Sequence, residues 1–137
     1  MRIQLSFKSG KPVYLQVVDQ VKAAAASGAI RQGEPLPSIR PLAETLRVNR
    51  NTVAKAYAEL ERQGVIETIV GKGCFVGANN SPFKKEVRRE LLTQEIDHAV
   101  VQAHHLQVGK TEFLRLADDR FDVFQEQRDQ AAKSGDV

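Results

Sequence analysis

Apolar residues recur every third or fourth position between residues 12 and 29, which is the spacing of an amphipathic helix. Pro12 suits the first turn of this helix, and Gly28 stands where it would stop. The glycine and two prolines within residues 33–37 then predict a short extended connection. The chain is therefore expected to open on one helix followed by an extended segment.

Two shorter apolar stripes follow, and a residue that commonly caps helices precedes each. The stripes are Leu42, Ala43 and Leu46 after Ser38, and Val53, Ala56, Tyr57 and Leu60 after Asn49. Gly64 suits the end of the second of these helices. The two helices would meet across a tight turn at residues 47–49, and this predicts a helix-turn-helix.

The pattern changes at residue 65 from helical to extended. Residues 65–70 are mostly β-branched, residues 71–73 read Gly-Lys-Gly, and residues 74–76 are apolar again. This order predicts a β-hairpin with a glycine-flanked tip. A helix, a helix-turn-helix and a hairpin in succession predict a winged helix-turn-helix.

A polar, turn-forming stretch around Asn80 predicts a boundary between a winged helix-turn-helix domain of residues 1–80 and a helical domain of residues 81–137. Two apolar stripes with a break near Gly109 predict two helices there, and the polar tail from Gln125 is expected to fray. Because two helices cannot enclose a core, their stripes are expected to pack on each other and on a second copy of the chain. The predicted dimer interface is Leu92, Ile96, Val100, Ala103, Phe113, Ala117, Phe121 and Phe124. The expected fold class is mainly α with a small β-hairpin.

Charge is unevenly divided between the two parts of this chain of 137 residues. Residues 1–80 hold 11 Lys/Arg against 6 Asp/Glu, whereas residues 81–137 hold 9 against 11. A basic excess confined to one domain favours a polyanionic partner for that domain. The single cysteine, Cys74, permits no intramolecular disulfide, and we find no long apolar run, so a cytoplasmic protein is expected.

The second helix of a helix-turn-helix enters the major groove of DNA, where its first residues reach base edges. Arginine can bind guanine and asparagine can bind adenine through two hydrogen bonds. The predicted DNA-binding residues are Ser38, Arg40, Asn49, Arg50, Asn51, Thr52, Lys55, Lys72 and Gly73. Two plainer interpretations stay open at this point. In the first, Asn49 and Thr52 only cap the helix. In the second, residues 71–73 are only a turn.

These ordered fragments resemble the DNA-binding domain of GntR-family bacterial regulators. The residues that carry the resemblance are 14–28, 36–40, 42–43, 48–53, 56–57, 59–60, 64–67, 71–73 and 75–76. It implies a homodimeric regulator of transcription, usually a repressor, that binds palindromic operator DNA. It also implies DNA contacts for Arg40, Arg50, Thr52 and Lys72, and an effector sensed by the C-terminal region, of unknown identity. The short second part resembles the YtrA subfamily, although many of those sequences carry proline where this chain has Arg50.

Other classes of function fit the sequence less well. The GntR relatives that bind pyridoxal phosphate need a far larger second domain, and we find no paired nucleophile and base, so neither an enzyme nor a cofactor is expected. His98, His104 and His105 lack a well-spaced acidic partner, so no metal site is expected. An architectural DNA binder or a protein-interaction module remains an alternative, because fold alone does not prove function.

Overall fold

The computed structural model describes residues 1–78 and 80–134. The chain divides into two compact units, Met1–Pro82 and Phe83–Val137. The first unit contains α1 (Val13–Ser27), α2 (Ile39–Leu46), α3 (Arg50–Arg62), β1 (Ile66–Ile69) and β2 (Gly73–Val76). The second contains α4 (Lys85–His105) and α5 (Lys110–Ser134). The predicted class, mainly α with a small β-hairpin in a winged helix-turn-helix, is confirmed.

The core of the first unit forms where α1 and α2 pack on α3 and where α3 meets β1. The side chains at its centre are fully buried: Leu60, Val17, Val21 and Val53. Burying a side chain of this size is worth about 1.5–3 kcal/mol relative to leaving it exposed. The apolar stripes predicted from helical spacing are therefore the faces that hold the three helices together.

The turn between α2 and α3 depends on an unusual backbone conformation at Arg47. This residue ends α2 with φ of 58° and ψ of 45°, in the left-handed region that arginine rarely adopts. The N–H of Arg47 and that of Val48 return to the last carbonyls of α2, and the Val48 N–H lies 3.0 Å from the oxygen of Ala43. These bonds complete the end of α2 and set the angle at which α3 starts.

The hairpin is joined by a third extended segment, residues 33–37, which precedes α2. β1 and β2 pair antiparallel from Ile66 opposite Val76 to Ile69 opposite Gly73. On the other edge of β2, the N–H of Leu36 donates to the carbonyl of Cys74 at 2.9 Å. The N–H of Val76 likewise donates to the carbonyl of Glu34 at 2.9 Å. The hairpin of β1 and β2, here called the wing, is thus hydrogen-bonded to the segment that leads directly into the helix-turn-helix.

Residues 1–11, here called the arm, lie along α1 in the opposite direction. The side-chain amide of Gln20 bonds to both the N–H and the carbonyl of Gln4, at 2.8 and 2.5 Å. The amide of Gln16 does the same for Ser6, at 2.8 and 2.9 Å. Two glutamines one helical turn apart therefore act as a hydrogen-bonding edge for an extended chain, and nothing in the sequence pattern predicted this.

The second unit differs from the expectation in two respects. α5 continues to Ser134, so the prediction that the tail frays from Gln125 is wrong for residues 125–134, and residues 135–137 lie outside the described residues. Residues 125–134 are rich in strong helix formers, and the amide of Gln125 donates to Asp129 one turn later at 3.0 Å. The prediction that the two helices pack on each other is also wrong, because α4 and α5 do not pack along their lengths in the single chain. None of the helices in the described part of the chain has the length and hydropathy that a bilayer span requires.

Candidate nucleic-acid interface

The first turn of α3 is polar and precedes the buried residues of this helix. Asn49 caps this helix as predicted, and its side-chain oxygen accepts a hydrogen bond from the N–H of Asn51 at 2.7 Å. Arg50 and Asn51 are exposed, and within residues 1–78 and 80–134 neither side chain has a hydrogen-bond or ionic partner. Thr52 is half-buried. The turn therefore carries a guanidinium and an amide that are free to bind a partner molecule.

The start of α2 carries the predicted pair Ser38 and Arg40. Ser38 is the N-cap residue, but its side chain makes no capping hydrogen bond, so its exposed hydroxyl stays available. The guanidinium of Arg40 is exposed and lies 3.3 Å from the carboxylate of Glu44, one turn along the helix. Such an exposed pair contributes little stability and leaves the arginine able to exchange partners.

The tip of the wing carries Lys72, with its side chain in solvent. The N–H of Lys72 donates to the carbonyl of Ile69 at 2.9 Å and closes the turn. Gly71 and Gly73 adopt φ of 80° and 112°, conformations that residues with a side chain rarely adopt, so both glycines are needed for this turn. Gly73 is the first residue of β2 and not part of the tip itself.

Lys55 is the one predicted DNA-binding residue whose side chain contacts an aromatic ring. Its ammonium lies 4.1 Å from the centre of the Tyr14 ring, at the start of α1. A cation held over a ring in this way is fixed in direction, and at an exposed site the contact is worth about 0.5–1 kcal/mol. The contact also shows that the start of α1 borders the solvent face of α3.

Tyr57 connects α3 to the segment before α2, a role that sequence reasoning missed. Its hydroxyl donates to the carbonyl of Pro37 at 2.6 Å. Burial, with a smaller electrostatic contribution from the nearby Cys74, raises the pKa of Tyr57 to about 12. The phenol therefore remains a donor across the physiological range. A tyrosine within an apolar stripe is a sequence signal of such a bond, because a buried hydroxyl needs a partner.

The end of α3 is held by a cluster around Glu59. Hydrogen bonds from the side chains of Arg62 and Gln63 lower the pKa of Glu59 to about 2, and Lys22 on α1 contributes to the same shift. Beyond it, Gly64 has φ of 77°, and a β-carbon there would lie 2.9 Å from the ring of Pro82. Glycine is thus required at the predicted stop of this helix.

The predicted dimer residues lie on the second unit, and half of them are exposed. Leu92, Ile96, Val100 and Phe121 are exposed, and the exposed fraction of Phe121 is 74%. The others, Ala103, Phe113, Ala117 and Phe124, are half-buried. No group of histidine, cysteine and acidic residues in the described part of the chain could hold a metal ion.

Comparison with known proteins places this architecture in a family. Residues 13–76 match the family of bacterial regulatory proteins named gntR. The repressor YtrA of Bacillus subtilis, an HTH-type transcriptional repressor, is 36% identical over 103 residues, which span 75% of this chain and 79% of YtrA. The chain belongs to the GntR family. Its members are regulators of transcription, and the predicted resemblance to YtrA is confirmed.

Two solved structures extend the similarity. A transcriptional antiterminator from Listeria monocytogenes EGD-e has a TM-score of 0.79 and 32% identity, covering 90% of this chain and 92% of that one. The AraR DNA-binding domain in complex with operator ORX1 has a TM-score of 0.50 and 26% identity, covering 56% of this chain and 99% of that one. The first similarity extends beyond the winged helix-turn-helix, and the second shows a domain of this fold on DNA.

Proposed function

We propose that this GntR-family regulator is a homodimeric repressor that binds a palindromic operator through its first unit, Met1–Pro82. The observation that carries the proposal is the first turn of α3, where Arg50 and Asn51 have free, exposed side chains at the N-terminal end of the helix. A helix of this kind fits the major groove of DNA, which is about 12 Å wide. The similarity to the AraR domain, whose structure contains operator DNA, supports the same partner for this chain.

The proposed contacts divide into base readers and phosphate binders. Arg50 and Asn51 read base edges, because guanidinium and amide groups can form paired hydrogen bonds with guanine and adenine. Ser38, Arg40, Thr52 and Lys55 contact the backbone on both sides of the groove. Lys72 at the wing tip reaches a neighbouring phosphate, with Gly73 allowing close approach, because a single flexible ammonium discriminates poorly among bases.

The test of base reading compares Arg50→Ala with the wild-type chain. The operator would first be selected from a randomised duplex library and located on the organism's own promoter DNA by footprinting. We expect Arg50→Ala to lose about 1–3 kcal/mol of binding free energy on that operator and to relax selectivity at one symmetric position. Equal losses on operator and scrambled DNA would show that Arg50 contacts only phosphate. Failure to select any sequence would favour an architectural binder.

The proposed dimer forms through the second unit. Large apolar side chains on α4 and α5 are exposed in the single chain, and the two helices do not cover each other. Exposed stripes of this kind usually mark an interface, and a second copy supplies two equivalent stripes. In such a dimer, two α3 helices would bind half-sites about one turn of DNA apart, or a multiple of that distance.

Truncation after Asn80 tests this assignment. We expect a folded, monomeric winged helix that binds an isolated half-site almost as well as one protomer does. Its affinity for a palindrome should fall about a hundredfold or more, because each half-site no longer raises the effective concentration at the other. Light scattering that shows a dimer for the truncated chain would move dimerisation to the first unit.

Repression and location follow from the proposed activity. A protein that acts on operator DNA works in the cytoplasm of a bacterium, and the relative YtrA is itself named a repressor. The exposed second unit would also be where a small-molecule effector acts. A reporter gene under the selected operator should be expressed more strongly when the regulator is deleted. Lower expression after deletion would identify an activator instead.

A further inference from the structure

We propose that the loop of residues 8–11 is an additional DNA contact, in which Lys8 binds a backbone phosphate beside α3 and Gln16 holds the loop in position. The inference rests on the proposed function, since it takes the start of α3 as the surface that faces DNA. It adds the arm to the α2, α3 and wing contacts that the helix-turn-helix pattern predicts.

The relative direction of α1 and α3 places the loop at the DNA-facing end. Near the start of α1, the ring of Tyr14 lies against Lys55 of α3. Further along, Lys22 of α1 is close enough to Glu59 of α3 to lower its pKa. The two helices therefore run in the same general direction, with both starts toward one end. The loop directly precedes α1, so it lies at that end too.

The charge of the loop suits a phosphate. The arm carries Arg2, Lys8 and Lys11, and the first acidic residue of the chain is Asp19. The ammonium of Lys11 is paired with the carboxylate of Asp19. Lys8 is exposed, and its side chain has no partner among residues 1–78 and 80–134. One lysine thus helps to anchor the loop while the other keeps a free ammonium.

The loop is ordered before any DNA arrives. Besides its two bonds to Ser6, the side-chain amide of Gln16 donates to the carbonyl of Lys11 at 2.9 Å. Gln16 is itself buried, with 9% of its surface exposed. One side chain therefore ties the backbone on both sides of Lys8 to α1. Because these residues are already fixed, binding would not bear the entropic cost of ordering them.

The first experiment measures the salt dependence of binding by the full-length chain to a mixed-sequence duplex of about 30 base pairs, where phosphate contacts dominate. We expect Lys8→Ala to reduce the slope of log affinity against log salt by about one for each protomer bound. Arg2→Ala is the matched control, because it removes the same charge from the opposite end of the arm. It should leave the slope unchanged. An unchanged slope for Lys8→Ala, or equal changes for both variants, would overturn the inference.

The second experiment tests the positioning role of Gln16. Gln16→Ala should reduce the slope as Lys8→Ala does, and the double variant should show no further reduction, because both changes remove the same interaction with DNA. Gln20→Ala, which releases Gln4 but not the loop, should bind like the wild type. Additive reductions in the double variant would show that Gln16 does not act through Lys8.

A third measurement does not depend on the fold of the Gln16 variant. An iron chelate attached to Lys8→Cys in a Cys74→Ser background should cleave the duplex, whereas the same chelate on Arg2→Cys should not. Cleavage from neither position, or from both equally, would contradict the placement of the loop. If the wild-type chain shows no salt-dependent DNA binding at all, the proposed function fails. If the wild type binds and only the Lys8 results are negative, the loop contact alone fails.

Discussion

Removal of the Tyr57 hydroxyl tests how α3 is held in position. Tyr57→Phe removes a single oxygen and keeps the ring that packs in the core. The variant can no longer form the 2.6 Å hydrogen bond to the carbonyl of Pro37. That carbonyl accepts no other hydrogen bond within the described chain, so the variant leaves it without a protein partner. The change therefore isolates the connection between α3 and the segment leading into α2.

The expected loss of stability follows from two costs, that of losing the hydrogen bond and that of leaving its acceptor without a partner. A neutral intramolecular hydrogen bond contributes about 0.5–1.5 kcal/mol net, and an acceptor left buried without a partner costs about 1–3 kcal/mol. Because Pro37 is exposed and its carbonyl only partly buried, water can relieve some of this cost. We expect a decrease of about 1–2 kcal/mol in the free energy of unfolding. For a unit of this size, each 1 kcal/mol corresponds to about 4–8 °C in the melting midpoint.

Tyr14→Phe is the matched control, since these two are the only tyrosines of the chain. The hydroxyl of Tyr14 has no hydrogen bond to the described residues, and its ring can still contact Lys55. Both variants would be melted by circular dichroism at the same protein concentration, because the midpoint of a dimer depends on concentration. We expect the control to stay within about 0.5 kcal/mol of the wild type.

The dependence of stability on alkaline pH gives an independent check. The pKa of Tyr57 is raised from 10.0 to about 12, so the stability from its neutral form is complete below about pH 10 and is lost as the pH rises through about 12. The difference in midpoint between wild type and Tyr57→Phe should shrink over that window. A difference that is constant with pH, or a Tyr57→Phe effect no larger than that of Tyr14→Phe, would refute this role.

Three further outcomes are expected. Lys72→Ala should weaken binding to all DNA sequences. It should also lower the slope of log affinity against log salt by about one for each phosphate that the lysine neutralises in the wild type. Weakening confined to the operator would instead make Lys72 a base reader. Phe121→Asp should convert the proposed dimer to monomers without unfolding residues 1–80, as measured by sedimentation, and an unchanged dimer would exclude this side chain from the interface. Hydrogen bonds from Arg62 and Gln63 lower the pKa of Glu59 from 4.5 to about 2, so their contribution to stability should be lost as the pH falls from about 4.5 toward 2. The melting midpoint of Glu59→Gln should therefore drop less in acid than that of the wild type.

Most of the first unit was predictable because its elements obey local rules. Helical spacing identified the buried faces of α1, α2 and α3, and Asn49 and Gly64 marked where α3 begins and ends. The tight turn was expected, but the left-handed conformation of Arg47 was not, since arginine carries no signal for it. The DNA-facing residues were proposed from their position in the motif, and the structure adds which of those side chains are free and which have partners.

The rest depends on contacts that sequence patterns do not encode. Gln16 and Gln20 bind the backbone of the arm, a use of glutamine that has no periodic signature. The bond from Tyr57 to Pro37 spans 20 residues and follows only from the packed core. In the second unit, the apolar stripes suggested two helices that cover each other. They could not show that the helices do not pack along their lengths in the single chain, because stripes indicate that a face is to be buried without indicating by which partner.

The extended segment of residues 33–37 has a consequence for how the first unit opens. Its N–H and carbonyl groups bond to β2 on one side, and the carbonyl of Pro37 accepts from Tyr57 of α3 on the other. A segment held on both sides cannot separate from the wing without also loosening the entrance to α2. The amide protons of Leu36 and Val76 should therefore exchange with solvent deuterium at matching, slow rates, as members of one cooperative unit. The hairpin would then unfold only together with α2 and α3, and not as a separate flap.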